Sequence, residues 1–313
     1  MIENNTSKFR GSDNECIIDE ISKMAEELNF TDDIMTFVEQ MISLNNLLST
    51  YDPPLSTTLR NIDEKAQNPT YFIATYFDTK DIDQALWVYR IVRLLARYIL
   101  LSDRFFEINN NEFALEAKMV RTSIDEFLLT GGDQNHLSYS LDYSLKQFWT
   151  FWEFEQLIRS RTLGGYTFSY KEIRHFNLLK SSDASIVYAR VLDAKLPSFN
   201  ENVALVLHYN QALLDLQDDW EDIEDDVQED MPNAFVMAAV QDISYDKIKS
   251  STYERIRNVV LDRSDSRASN IGLVNEYQTS IRNICIPDNL VFLKSLSDHF
   301  ADTLRGMILS SAT

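Results

Sequence analysis

At 313 residues the chain has room for one large domain or two small ones, and it can bury a core without disulfide staples. Its 44% hydrophobic and 12% aromatic content excludes a largely disordered chain. A net charge of −20 excludes a nucleic-acid partner, because a phosphate backbone calls for a basic footprint.

Only 7 glycines and 6 prolines occur, where folds rich in βα turns or hairpins use many of both. Their scarcity predicts an all-α fold of long helices joined by few turns. Cys16 and Cys285 lie far apart and form neither a disulfide framework nor a metal-binding pair, so two reduced thiols in a cytoplasmic protein are expected. Residues 1–12 are expected to be a disordered tail, and the polar stretch from Met1 to Cys16 lacks the apolar core of a signal peptide. The longest apolar runs fall far short of a membrane span. Residues 13–313 are then expected to form a single all-α domain.

In chain order, Ile17, Ile18, Ile21, Met24, Ala25 and Leu28 recur at helical spacing and predict a first amphipathic helix. Thr31 is placed to cap a second, which runs to about Leu48. Asp52-Pro53-Pro54 and Asn68-Pro69 break the chain. Long helices follow over about 81–107, 112–129 and 137–162, the last two ending at the pairs Gly131-Gly132 and Gly164-Gly165. Further helices are predicted over about 169–191, 199–229, 232–241, 245–262, 268–283 and 287–310, with breaks at 195–198 and at Pro232. No internal repeat or low-complexity linker is present.

The chemistry concentrates in one segment. From Asp215 to Asp230 there are ten acidic residues and no basic one. An apolar helix carrying Val203, Leu205, Val206, Leu213 and Leu216 delivers Asp218, Asp219 and Asp222, with Asp226 one turn further. Positions 218, 222 and 226 share a helix face, and stacked like charges destabilise a helix. Either water solvates that face or a divalent cation binds it. With carboxylate oxygens and no Cys or His at hand, the cation of choice is Mg²⁺ rather than Zn²⁺.

Gln217-Asp218-Asp219-Trp220-Glu221-Asp222 resembles the second aspartate-rich motif of the trans-prenyl diphosphate synthases and of the squalene and phytoene synthases. Extended to Asp226, it is also similar to the longer metal motif of terpene cyclases. A second likeness precedes it: Lys180-Ser181 stands one helix earlier, where prenyl synthases carry a Lys-Thr pair whose lysine binds diphosphate. All these families share the class I isoprenoid synthase fold. The resemblance therefore implies an antiparallel helical bundle with a central apolar cavity, Mg²⁺ as cofactor, and an isoprenoid diphosphate as substrate. It implies Asp218, Asp219, Asp222 and Asp226 as metal ligands. It implies Lys180, Arg174 and Gln217 as diphosphate-binding residues.

The facing first motif of the family is best matched by Asp103-Arg104-Phe105-Phe106-Glu107. Asp103 and Glu107 would supply its carboxylates, and Arg104, standing in place of the second aspartate, would meet the diphosphate. An internal salt bridge of Asp103 or Glu107 with Arg104 or Arg97 is the alternative. The family's early Gly-Lys-x-x-Arg-Pro motif and the Arg-Arg pair after the first aspartates are absent. Terpene cyclisation and prenyl transfer therefore both stay open. So do a non-catalytic homologue of the same fold and an acidic helix that docks a protein partner. A homodimer is compatible with the resemblance. The aromatic group Phe148, Trp149, Phe151, Trp152 and Phe154 reads as core, part of which would line the cavity of such an enzyme. The four histidines, His136, His175, His208 and His299, form no ligand pattern.

Overall fold

A computed structural model describes the backbone of residues 12–28, 34–52, 62, 66, 68–108, 111–130, 134–262 and 264–310, and their side chains except at 12–15, 107–108, 130, 134–140, 147–149, 183–184 and 264–265. Among the described residues there are fifteen α-helices and no strand, as the shortage of turn formers predicts. The expected tail before Ser12 and the expected cap Thr31 lie outside the described residues. The helices group into two compact units, residues 1–138 with 190–199 and residues 139–189 with 200–313.

The first unit holds α1 (Ser12–Glu27), α2 (Ile34–Tyr51), α3 (Thr70–Thr79), α4 (Ile82–Ile108) and α5 (Asn111–Thr130). α1 packs on α2, and α4 packs on both α3 and α5. α4 is its central element: Ala85, Val88, Tyr89, Ile91, Val92, Leu95 and Ile99 are buried over nearly its whole circumference. Arg93 is buried among them at 1% exposure, and its Nη1 meets the backbone oxygen and carboxylate of Asp52 at the end of α2. Arg90 approaches the same carboxylate, 3.8 Å away. Arg90 and Arg93 thus tie the end of α2 to α4.

α3 corrects the sequence reading, which left the stretch after Asn68-Pro69 unassigned. Pro69 stands at the N-cap, where its missing N–H costs nothing, and the Asn68 side chain accepts from Thr70 N at 3.0 Å. The run Tyr71 to Thr75 is buried on all sides, so it carries no amphipathic period.

The second unit begins within α6 (Gln134–Leu163). Its end is fixed by Gly165, whose φ of 73° suits glycine, while Gly164 N and Tyr166 N return to the carbonyls of Ser160 and Arg161. α7 (Tyr170–Lys180) starts at a capping box, in which Ser169 N donates to the Glu172 carboxylate and the Ser169 hydroxyl accepts from Glu172 N. The single helix expected over 169–191 is interrupted at Ser181, and α8 (Ser182–Lys195) continues beyond it. α9 (Glu201–Glu221) is capped by Asn200, whose side chain accepts from Asn202 N and Val203 N.

The expected helix over 199–229 is likewise divided, at Asp222, with α10 (Ile223–Glu229) following. Then come α11 (Ala234–Ala239), α12 (Tyr245–Lys249), α13 (Tyr253–Leu261), α14 (Ser264–Asn283) and, after a 3₁₀ turn at Asp288–Leu290, α15 (Phe292–Ser310). The division of the expected 245–262 helix falls at Ser250-Ser251-Thr252, a hydroxyl-rich stretch that favours caps over helix interior. α9 is the core element of this unit and packs on α7, α14 and α15.

Candidate active site

α9 carries a continuous buried stripe: Ala212, Leu216, Asp219, Ile223 and Val227, the last two on α10. Asp219 therefore occupies a core position, 1% exposed, in the middle of an apolar row. A buried carboxylate needs partners. It has two. Lys180 Nζ, at the end of α7, donates to Oδ1 at 2.7 Å, and the backbone N of Ala234, in the first turn of α11, donates to Oδ2 at 2.8 Å. Three helices thus converge on one side chain.

Asn233 completes the junction. Its Nδ2 donates to the backbone oxygen of Asp219 at 2.5 Å and to Asp226 Oδ2 at 2.8 Å, while its Oδ1 accepts from Phe235 N and Val236 N and so caps α11. This fully buried residue was not singled out from the sequence, although an Asn just before the apolar run Ala234 to Ala239 is an N-cap signal. Asn233→Ala removes the cap and both buried donors together. The expected cost is about 2 kcal/mol, read as a lowered urea midpoint. A loss below about 0.5 kcal/mol would mean that the junction does not depend on it.

The electrostatics follow from burial. Desolvation alone would lower the pKa of the Lys180 ammonium, but the carboxylates of Asp219, Asp215, Asp218 and Asp226 raise it well above its ordinary value. Burial pushes the Asp219 carboxyl up, against the pull of Lys180 and of Ala234 N–H. Burial also pushes Asp215 up to about 6, opposed by Lys180. Asp226 is raised to about 8 by burial and by the nearby charge of Asp219, opposed by Lys180 and Asn233. The cluster is thus one permanently charged ammonium among carboxylates of graded acidity.

Much of the acidic run has internal partners. Arg257 forks onto Glu224 at 2.6 and 2.7 Å, Tyr253 donates to Asp225 at 2.8 Å, and Tyr245 and Lys249 both meet Asp230. Asp218 is exposed and Asp222 is half-buried, one turn apart on the outward side. The backbone departs from helix at Asp222, with φ −99° and ψ 13°, yet Asp222 N still reaches Asp218 O at 2.9 Å and Asp226 N reaches Asp222 O at 2.8 Å. The break is a bend, not a loop.

No known family's sequence profile matches the chain, and no curated protein matches it in sequence. In three dimensions it is similar to the crystal structure of a polyprenyl synthase from Roseobacter denitrificans. That match has a TM-score of 0.56 at 9% sequence identity, and it covers 92% of this chain and 99% of the other. The chain has the fold of a polyprenyl synthase. That fold is the one the sequence resemblance implies.

Within that fold the expected site residues are placed as follows. Lys180, Asp219 and Asp226 are brought together, and Asp218 lies close enough to act on Lys180 electrostatically. Gln217 donates to Glu221 at 2.7 Å along its own helix. Arg174 pairs with Glu276 of α14, which also accepts from Tyr170 at 2.9 Å. The Ser181 hydroxyl is buried and donates to the Asn177 carbonyl at 2.8 Å. In the first unit, Asp103 is half-buried and Arg104 exposed near the end of α4, and the Glu107 side chain lies outside the described residues. Among the described residues no three His, Cys, Asp or Glu side chains are grouped closely enough to hold a metal ion by themselves. None of the described helices is long and apolar enough to cross a membrane.

Of the aromatic group, Phe151 packs 6.4 Å from both Phe154 and Phe176, and Phe154 meets the His175 ring edge-on. The side chains of Phe148 and Trp149 are outside the described residues.

Proposed function

We propose that this chain is a Mg²⁺-dependent class I isoprenoid enzyme that ionises an allylic prenyl diphosphate, with cyclisation or prenyl transfer as the outcome. The observation that carries the reading is Lys180 held on Asp219 beside an exposed Asp218, in a chain with the polyprenyl synthase fold.

The donor set fits Mg²⁺. This ion takes one or two carboxylates, keeps water, and completes its shell with substrate phosphate, so three converging protein ligands are not required. Asp218 and Asp222, outward and one turn apart, are the residues that would hold it, with Asp226 beyond them. Asp219 does not fit a ligand's part in this arrangement, since Lys180 and Ala234 N–H engage its two oxygens. Its work is to seat Lys180. An ammonium has three donors and Asp219 accepts one, which leaves Lys180 able to meet a phosphate oxygen. Bound Mg²⁺ would neutralise the charge that gathers on the departing diphosphate. Asp103, Glu107 and Arg104 are kept as the proposed residues of a first acidic motif. The rings of Phe151, Phe154 and Phe176 offer the polarisable faces that stabilise a carbocation.

The test is release of inorganic diphosphate by purified protein with Mg²⁺. Allylic diphosphates of increasing length are supplied with and without isopentenyl diphosphate. Release is expected, and Asp218→Asn is expected to reduce it to background while leaving the fold intact, because the side chain is exposed. Dependence on isopentenyl diphosphate would select prenyl transfer over cyclisation. A folded protein that releases nothing from any substrate would replace this reading with the non-catalytic homologue, which the engagement of Asp219 favours.

A further inference from the structure

The bend at Asp222 sits between two residues, Glu221 and Glu224, that are held by the same guanidinium. Arg257, on α13, donates from Nη2 to the backbone oxygen of Glu221 at 2.7 Å, which satisfies the last carbonyl of α9. From Nε and Nη2 it also forks onto the Glu224 carboxylate, in the first turn of α10. Its guanidinium lies 4.4 Å from the centre of the Trp220 ring. The side chains of Arg257 and Glu224 are 22% and 14% exposed, so this is a partly desolvated, bidentate pair rather than a surface contact.

We propose that Arg257 is a positioning residue for the acidic motif. By fastening Trp220, Glu221 and Glu224 it fixes the bend at Asp222, and with it the angle at which Asp222 follows the turn that carries Asp218. The inference rests on the reading of Asp218 and Asp222 as the cation-holding pair. Its physical basis is that α10 has only seven residues, too few to hold a direction unaided, so the bend takes its angle from the side chains that span it: Asn233, bonded to the Asp219 carbonyl and to Asp226, and Arg257. A cation that takes two carboxylates from successive turns depends on that angle. Lysine cannot substitute, because the planar fork and the stacking on Trp220 belong to the guanidinium. A neighbouring contact between the same two helices, Tyr253 Oη to Asp225 at 2.8 Å, does not touch the residues flanking the bend and serves as the control.

The experiment uses the full chain in four forms: unchanged, Arg257→Lys, Glu224→Gln and Tyr253→Phe. Binding of Mn²⁺ is followed by electron paramagnetic resonance with inorganic diphosphate as the second ligand. Hydrogen exchange is followed over residues 217–226, and the urea midpoint is recorded for each form. Arg257→Lys is expected to weaken Mn²⁺ binding roughly tenfold, as loss of a group that orients metal ligands does, and to speed exchange over 217–226, with a midpoint near that of the unchanged chain. Glu224→Gln keeps the stacking and the Glu221 contact and should lie between the two. Tyr253→Phe should change neither binding nor exchange.

Unchanged affinity and exchange in Arg257→Lys, or equal effects from Tyr253→Phe, would overturn the proposal. If the unchanged chain binds no Mn²⁺ at all, the proposed function fails. Exchange over 217–226 then still decides whether Arg257 fastens the bend: acceleration in Arg257→Lys upholds the fastening, and no change removes it.

Discussion

Replacing Lys180 with methionine is expected to lower the unfolding free energy by about 3–5 kcal/mol, the cost of leaving a buried carboxylate without its cation. Asp219 has no exposed side-chain surface, and Lys180 is 24% exposed, so most of the loss falls on the aspartate. In the variant, Asp219 would retain only the N–H of Ala234 and would face Asp215, Asp218 and Asp226 with no positive charge among them. Its natural escape is to take up a proton. The destabilisation should therefore shrink as the pH falls, since the protonated form needs no counter-ion. Urea unfolding of both proteins at several pH values reads this directly. The double variant Lys180→Met with Asp219→Asn should recover most of the loss, because an asparagine oxygen can still accept from Ala234. A single-variant loss below about 1 kcal/mol, or no recovery in the double, would show that the pair is screened by water and not part of the core.

The opposite sign is expected at Asp226. Its folded carboxyl titrates at about 8, pushed there by burial and by Asp219, while the unfolded chain titrates near the ordinary carboxylate value. Between those limits the folded state holds the proton and the unfolded state does not. Native stability is therefore full below pH 4 and falls as the pH rises to about 8. Asp226→Asn keeps an acceptor for Asn233 and cannot ionise when unfolded. At pH 7 in metal-free buffer it should be more stable by about 3 kcal/mol, reduced from the roughly 4 kcal/mol that the shift accrues by that pH because the side chain is only half-buried. The gain should vanish near pH 4. A stability difference between the variant and the unchanged chain that is the same at pH 4.5 and pH 8 would rule out the raised carboxyl. A gain in stability accompanied by weaker cation binding would be the exchange of stability for function common at active sites.

The all-α fold and the long helices are legible from helical spacing and from the lack of glycine and proline. The Gly164-Gly165 stop is legible too, because a left-handed residue is needed there and glycine supplies it. α3 is not, since a short run buried on all sides has no period to detect. Nor are the interruptions at Ser181 and Asp222, which use no glycine or proline; each lies beside a residue held from another helix, Lys180 by Asp219 and Glu221 by Arg257. At the site, Asp218, Asp219 and Asp222 look alike in sequence. The buried row of Ala212, Leu216, Ile223 and Val227 separates them, and that row is itself readable, because Asp219 falls on its helical repeat. Asn233 and Arg257 are ordinary residues until the chain brings them to the bend.

The partners of the acidic run also bear on how this protein behaves as a charged particle. Lys180, Arg257, Lys249 and Arg159, from four other helices, are each bonded into the segment from Asp215 to Asp230, and three of its carboxyls are held at raised pKa values by burial. Seen from solvent, the stretch that is most acidic in composition is therefore partly neutralised from within. The native chain should migrate in an electric field as a less acidic molecule than its amino-acid content implies. At neutral pH, unfolding returns the raised carboxyl of Asp226 to its ordinary range and so adds negative charge, whereas release of the four cations leaves the net charge as it was.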